Sequence, residues 1–326
     1  MTLAGEPARP APAPVSPWSE VEASIAALVE ARPPLLVVAD FDGTLAVGTR
    51  DPAAAMIHPR SQRALRSLAA LAANRPGRLD LAVLTGRVVA DVAARTRVGG
   101  VEYLGDHGLQ RAQLPRHGRP EGIRPISDPA FDAHRDPAEA LASGVARELG
   151  DPTWLFVERK GPSVAFHVRQ ADDVTVARAA VVDAIAAVER RLGLVHDLAH
   201  YRGRSVVDLR PRDAGGKREA VERLLAAHRP GGVVSLGDEL SDIDAFEAVL
   251  AARAADPRLV GVTVAVHGTA RPAPSELLER ADLVLAGAPE VGRLLAALGR
   301  RLGLPAKGRG TVGSGLARSR SRRPPA

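Results

Sequence analysis

The chain has no cysteine among its 326 residues. Disulfides, thiolate metal sites and a cysteine nucleophile are therefore excluded, and any metal must sit on oxygen or imidazole. Long apolar runs are missing too: none approaches the roughly 20 residues that a membrane-spanning helix requires. The opening MTLAGEPARPAPAPVSP carries no apolar stretch behind a basic start, so a secretory leader is not expected and a cytoplasmic location is. Lysine is nearly absent, since of 44 basic residues only Lys160, Lys217 and Lys307 are lysines. The formal charge of +6 does not signal a polyanion-binding surface. Lys307, Arg309, Arg318, Arg320, Arg322 and Arg323, in the acid-free stretch 305–326, account for all of it. That tail and the Pro/Ala-rich residues 1–17 show no apolar periodicity and are expected to be disordered, which argues against a nucleic-acid partner.

What remains is 45% hydrophobic and 25% charged, the composition of a globular protein, and long enough for two domains. Strands read at 35–39, 79–84, 101–105, 232–237, 260–266 and 282–286. Helical patterns lie between them near 60–74, 87–96, 217–228, 242–253 and 289–301, after a first helix at 18–31. Short apolar strands alternating with helices predict an α/β fold with a Rossmann-like parallel sheet covered on both faces. The rhythm breaks between 106 and 212. WLFVER and SVAFHVR alternate apolar with polar around a Lys160-Gly161-Pro162 turn, predicting an antiparallel hairpin, followed by a helix over 173–192 and two strands near 195–201 and 204–210. The reading is a core of residues 18–105 and 213–303 interrupted by an inserted α+β domain over 106–212.

Polar clusters stand at the carboxyl ends of the strands, where open parallel sheets bind ligands. Asp40-Phe41-Asp42-Gly43-Thr44 offers two carboxylates on alternate positions, suited to a hard cation or to a nucleophile beside a general acid. Thr85 in LTGR supplies a hydroxyl for a phosphate oxygen or a helix N-cap. Lys217 is a compact ammonium where arginine is otherwise the rule, suited to a phosphoryl oxygen. Asp238 and Asp242 in LGDELSD lie one helical turn apart, and a helix start also favours acids at such positions. On the hairpin, Glu158, Lys160, His167 and Arg169 recur at alternate positions and form a polar face.

In this order, Asp-x-Asp-Gly-Thr, Thr85, Lys217 and Gly-Asp-x-x-x-Asp, the motifs resemble those of the haloacid dehalogenase-like (HAD) phosphatases. GDHGLQ, VERKGPSVAFHVR, VVDLRP and GDELSDIDAF, with the insert acting as a cap, narrow the resemblance to the trehalose-6-phosphate phosphatases. Asp208, Arg218, Glu239 and Ser241 stand where that family commonly has Glu, Gly, Asp and Thr. The resemblance implies Asp40 as nucleophile and Asp42 as acid/base, with Thr85 and Lys217 on the phosphate. It implies Mg²⁺ on Asp40, the Asp42 carbonyl and Asp238, with Asp242 orienting Lys217 or a water on the metal. Arg87, His107, Glu158, Lys160, His167, Arg169 and Asp208 are then substrate contacts. The implied substrate is trehalose 6-phosphate, and a trehalose-6-phosphate synthase is an implied partner. Two other readings stand beside this one: a phosphatase for another sugar or glycosyl phosphate, and a non-catalytic regulatory subunit.

Overall fold

The first strand, β1 (Leu35–Ala39), is apolar and buried at all five positions, as a strand covered on both faces must be. Its alternate side chains serve two different layers. Leu35, Val37 and Ala39 pack into a cluster with helices α1 (Trp18–Glu30), α2 (Pro59–Asn74), α3 (Val89–Thr96) and α9 (Ala288–Gly303), whereas Leu36 and Val38 pack against α6 (Lys217–His228) and α7 (Ser241–Ala255). This is the three-layer solution expected when strands and helices alternate.

The computed structural model describes residues 15–49, 51–194, 197–202, 205–269 and 272–303. The sheet runs in the order β12-β11-β10-β1-β2-β3-β4-β5. In it, β2 (Leu79–Leu84), β3 (Val101–Gly105), β10 (Gly232–Gly237), β11 (Val260–Val266) and β12 (Leu283–Leu285) run parallel with β1. Strands β4 (Gln110–Leu114) and β5 (Ile126–Ser127) close one side antiparallel. Helix α8 (Ser275–Leu278) is a single turn before β12.

A second, four-stranded sheet, entirely antiparallel, has the order β6-β7-β9-β8. It comprises β6 (Phe156–Arg159), β7 (Val164–His167), β8 (Leu198–Arg202) and β9 (Val206–Pro211). Val164, Phe166, Val207 and Leu209 on one face bury themselves against α4 (Arg135–Glu148) and α5 (Val174–Leu192). The other face is left for polar side chains.

Three features differ from the sequence reading. Residues 110–127, assigned to the insert, pair onto the large sheet through β3, because β4 alternates buried and exposed positions and finds a free edge there. Helix α4 was not anticipated: Pro137 sits in its first turn and Gly144 in its interior, both poor helix signals. Gly144 is explained by packing, since a Cβ there would lie 2.6 Å from Val188 Cγ1 on α5. The third concerns the expected N-terminal disorder. Residues 1–14 and the basic tail from 304 lie outside the described residues, but Ser16 is anchored: its N–H donates to the Val284 carbonyl at 2.9 Å and its Oγ accepts the Val284 N–H at 3.0 Å.

The contact of α2 with α9 depends on a glycine. A Cβ on Gly292 would lie 2.7 Å from Ser61 N and 2.8 Å from the Arg60 carbonyl carbon, both backbone atoms that cannot swing aside. Gly292→Ala should therefore destabilise the protein by about 1–3 kcal/mol in urea unfolding. Gly122→Ala, with nothing within 4 Å of its Cβ, should be near neutral. Equal stabilities for the two variants would show that the helices have room to separate.

Candidate active site

Three neighbouring strands, β10, β1 and β2, end side by side and carry Asp238, Asp40 and Thr85 just beyond their last residues. All three are at most 4% exposed. Lys217, the first residue of α6, reaches into the same point; its ammonium donates to Asp40 Oδ1 at 2.8 Å and to Asp242 Oδ1 at 2.7 Å. Burial works against the charge on Lys217, but Asp242 and Asp40 outweigh it and raise its pKa. Burial also pushes the Asp40 carboxyl well above the ordinary carboxylate range, against the pull of Lys217. Asp242 is fully committed: its other oxygen accepts the N–H groups of Asp238 at 2.9 Å and Glu239 at 3.0 Å.

Two glycines make this crowding possible. Gly43 has φ +87°, a left-handed conformation, and a Cβ there would lie 2.1 Å from Asp238 Oδ2. A Cβ on Gly237 would lie 2.2 Å from the Asp242 carboxyl carbon. Carboxylate oxygens of Asp40, Asp238 and Asp242 consequently lie within 4.8 Å of one another. Three carboxyl groups stand against one ammonium, and a divalent cation with oxygen ligands would favour their ionised forms and offset the excess negative charge. The donor set fits such an ion.

Asp42 is held elsewhere. Arg87 grips its carboxylate with two bonds, Nε to Oδ2 at 2.6 Å and Nη2 to Oδ1 at 2.9 Å, and reaches Asp91 through Nη1 at 2.8 Å. Asp91 also accepts from Arg95, which in turn holds the carbonyls of Ala53 and Ala55. Arg87, read as a substrate contact, is thus a partner of the proposed acid/base in this structure; a planar guanidinium matches a carboxylate in two bonds. Thr85 does not cap α3, which begins at Val89; its Oγ1 accepts the Arg87 N–H at 3.3 Å.

Where the insert meets the core, a second buried ionic group appears. Asp106, His107 and Gly108 all have positive φ, 49°, 57° and 104°, turning the chain sharply after β3. Two consecutive non-glycine residues in that region are held only by their surroundings. Lys160 Nζ lies 3.1 Å from Asp208 Oδ1 and 3.5 Å from Asp106 Oδ1. Asp208 Oδ2 also meets Arg210 Nε at 3.1 Å and His107 Nε2 at 3.4 Å, and Ser163 donates to Asp106. Lys160, Asp208 and His107, read as substrate contacts, are therefore joined to one another, with Lys160 and Asp208 almost fully buried. Burial pulls the His107 pKa down to about 4 and lifts Asp106 to about 6. Burial would raise Asp208 as well, but Lys160 reverses it. Gly86 of LTGR is required here, because a Cβ would lie 2.8 Å from His107 Nε2. Asp106, Ser163 and Arg210 escaped the sequence reading. An acid between two glycines' reach, in GDHG, was the available signal for Asp106.

Both ionic groups border one cavity of about 820 Å³ between the strand ends and the open face of the insert sheet. Glu158 and His167 face each other in it, His167 Nε2 lying 2.9 Å from Glu158 Oε2. Burial opposes charge on Glu158, yet Lys160 and His167 hold its pKa at about 2. Arg169, at the rim, donates to the Thr49 carbonyl at 2.6 Å and so ties the insert to the loop that follows Asp42.

The trehalose-phosphatase family matches residues 38–273, from within β1 to the segment before α8. The chain belongs to that family. A trehalose-phosphate phosphatase of Mycobacterium avium is 37% identical over 216 residues, 64% of this chain and 50% of that protein. A Mycobacterium tuberculosis protein described as an uncharacterized glycosyl hydrolase is 33% identical over 271 residues, 80% of this chain and 18% of that one. The chain thus spans half or less of the length of these curated relatives. The C-terminal domain of a Candida albicans trehalose-6-phosphate phosphatase shares the fold, with a TM-score of 0.67 at 19% identity over 86% of this chain and 96% of that one. Among the described residues no helix is long and apolar enough to cross a membrane.

The depressed pKa of His107 makes the core–insert junction acid-sensitive. The unfolded chain takes up a proton as pH falls through 6.5, whereas the folded protein does so only near 4. Stability is therefore lost between those values, by up to roughly 3 kcal/mol. Asp106 acts oppositely, gaining stability as pH falls below about 6, and does so with or without His107. His107→Gln should lose less stability than the parent between pH 7 and pH 4.5 in urea unfolding. Equal losses in the two proteins would remove His107 as the cause.

Proposed function

We propose that the chain is a Mg²⁺-dependent phosphatase that hydrolyses trehalose 6-phosphate to trehalose and phosphate through an aspartyl-phosphate on Asp40. The observation that carries this reading is the buried Lys217 ammonium clasped between Asp40, just beyond β1, and Asp242, in the first turn of α7, with Asp238 beside them. A carboxylate so placed is a nucleophile with its charge balanced and its direction fixed. Lys217 and the Thr85 hydroxyl receive the phosphoryl oxygens, a task of positioning and charge rather than of covalent chemistry. Asp40, Asp238 and the Asp42 carbonyl would hold the cation, which supplies further neutralisation of those oxygens. Asp242, spent on Lys217 and two backbone N–H groups, keeps the lysine in place.

The leaving sugar alkoxide is a poor leaving group and needs a proton as its bond to phosphorus breaks. Asp42 donates it, and afterwards takes one from the water that attacks the acyl phosphate; such transfer contributes on the order of 10² to 10⁴-fold. Arg87 orients Asp42 for both steps. The charged cavity end receives the phosphate, and Glu158 and His167 on the insert reach the sugar hydroxyls. Against a non-catalytic subunit stands the contact of Lys217 with Asp40 and Asp242, with Asp40, Asp42, Thr85 and Asp238 lining one cavity. A phosphatase for another sugar phosphate remains the alternative that a substrate panel separates. A trehalose-6-phosphate synthase as partner and a cytoplasmic location complete the reading, on the strength of the family resemblance.

Phosphate release from trehalose 6-phosphate should vanish in EDTA and return with Mg²⁺. Asp40→Asn should fold, by circular dichroism and melting temperature, and release no phosphate at all. Full activity in EDTA, or a clearly active Asp40→Asn, would overturn the mechanism.

A further inference from the structure

The open face of the insert sheet is graded in polarity along its strands. Across the innermost row of the cavity stand Glu158, Ala165, Asp208 and Tyr201, paired strand to strand. One step further from Lys160, the paired residues are Phe156, His167 and Val206. His167 in this row still pairs with Glu158, but Phe156 and Val206 on either side of it are apolar. The chain has only five phenylalanines; three of them, Phe41, Phe166 and Phe246, are completely buried. Phe156 is 50% exposed and lines the cavity. Leu240, on the core side, is 45% exposed and lines the same cavity. Large apolar side chains left open inside a charged cavity mark a surface meant to be covered by a ligand with an apolar face.

We propose that Phe156 is a specificity-determining platform for the hexopyranose ring that does not carry the phosphate. The proposal rests on the sugar-phosphate reading above and adds to it the basis for choosing a disaccharide. A pyranose ring presents a patch of C–H bonds on its face and hydroxyls around its edge. The negative face of an aromatic ring attracts the C–H patch, while the edge hydroxyls need hydrogen-bonding groups beside the aromatic. Both are present. The Phe156 ring leans on His167, with centroids 5.5 Å apart and planes at 38°, and His167 is in turn fixed by Glu158 at 2.9 Å. The aromatic surface is therefore pre-set and flanked by a carboxylate and an imidazole able to bond hydroxyls. A monosaccharide phosphate anchored at Asp40 and Lys217 has no second ring to place there.

The test is the ratio of kcat/KM for trehalose 6-phosphate to that for glucose 6-phosphate. Losing the ring face in Phe156→Ala should lower this ratio by about tenfold, with the loss in KM for the disaccharide. Phe156→Leu, which keeps apolar bulk without the aromatic face, should lower it by roughly three- to fivefold, and Phe156→Tyr should hold it within about twofold. A ratio unchanged in both Phe156→Ala and Phe156→Leu would overturn the platform while leaving the phosphatase reading intact. A parent protein that hydrolyses glucose 6-phosphate as well as trehalose 6-phosphate would instead overturn the substrate reading and the platform with it.

Discussion

The ammonium of Lys217 is the interaction on which the site depends. Carboxylates of Asp40, Asp238 and Asp242 crowd within 4.8 Å in a nearly buried place at the end of the cavity. Bringing that much negative charge out of solvent is costly unless a cation lies among it. A lysine can stand at the start of α6 and touch two of the three acids because its charge is compact; a guanidinium fork would need a wider space. The surrounding glycines follow from the same demand. Gly43 and Gly237 give up their side chains so that Asp238 and Asp242 can close in. The chain reaches Lys217 directly from β9, so the return from the insert and the placement of the central charge are one event in the folded topology.

The junction between core and insert repeats the logic with different residues. Asp106 and Asp208 face Lys160 and Arg210, two charges of each sign, all nearly inaccessible. A buried ionic group of this kind adds little net stability but is intolerant of wrong arrangements, since removing one member leaves another unpaired. It fixes the direction in which the insert presents its open face. Lys160 contributes through both ends of its structure: its ammonium meets the acids, and its carbonyl accepts from Gln110 Nε2 at 2.9 Å on β4.

Much of this was legible in the sequence. The six parallel strands and the helices between them announced themselves by period and length, because a doubly covered strand must be apolar throughout. Asp40, Thr85, Lys217 and Asp238 were legible because each stands where an apolar strand or a helix gives way to a polar residue. The insert was harder. Helix α4 hid behind Pro137 and Gly144, and β4 has the alternation of any edge strand, which does not say which sheet it joins. The roles of Arg87 and Lys160 were not readable, since sequence shows that a charge is present but not which opposite charge the fold delivers to it. The partners that the fold delivers, Asp42 to Arg87 and Asp106 and Asp208 to Lys160, are distant from them in sequence.

Among the described residues the large sheet is open at both ends, a geometry that ordinarily invites another chain to add a strand. At the β5 end the exposure is limited to a two-residue strand. At the β12 end Ser16 occupies both the donor and the acceptor of Val284 in the middle of a three-residue strand, using its own N–H and hydroxyl oxygen. A single serine thereby takes up the hydrogen-bonding groups that the middle of this edge would otherwise offer to an added strand.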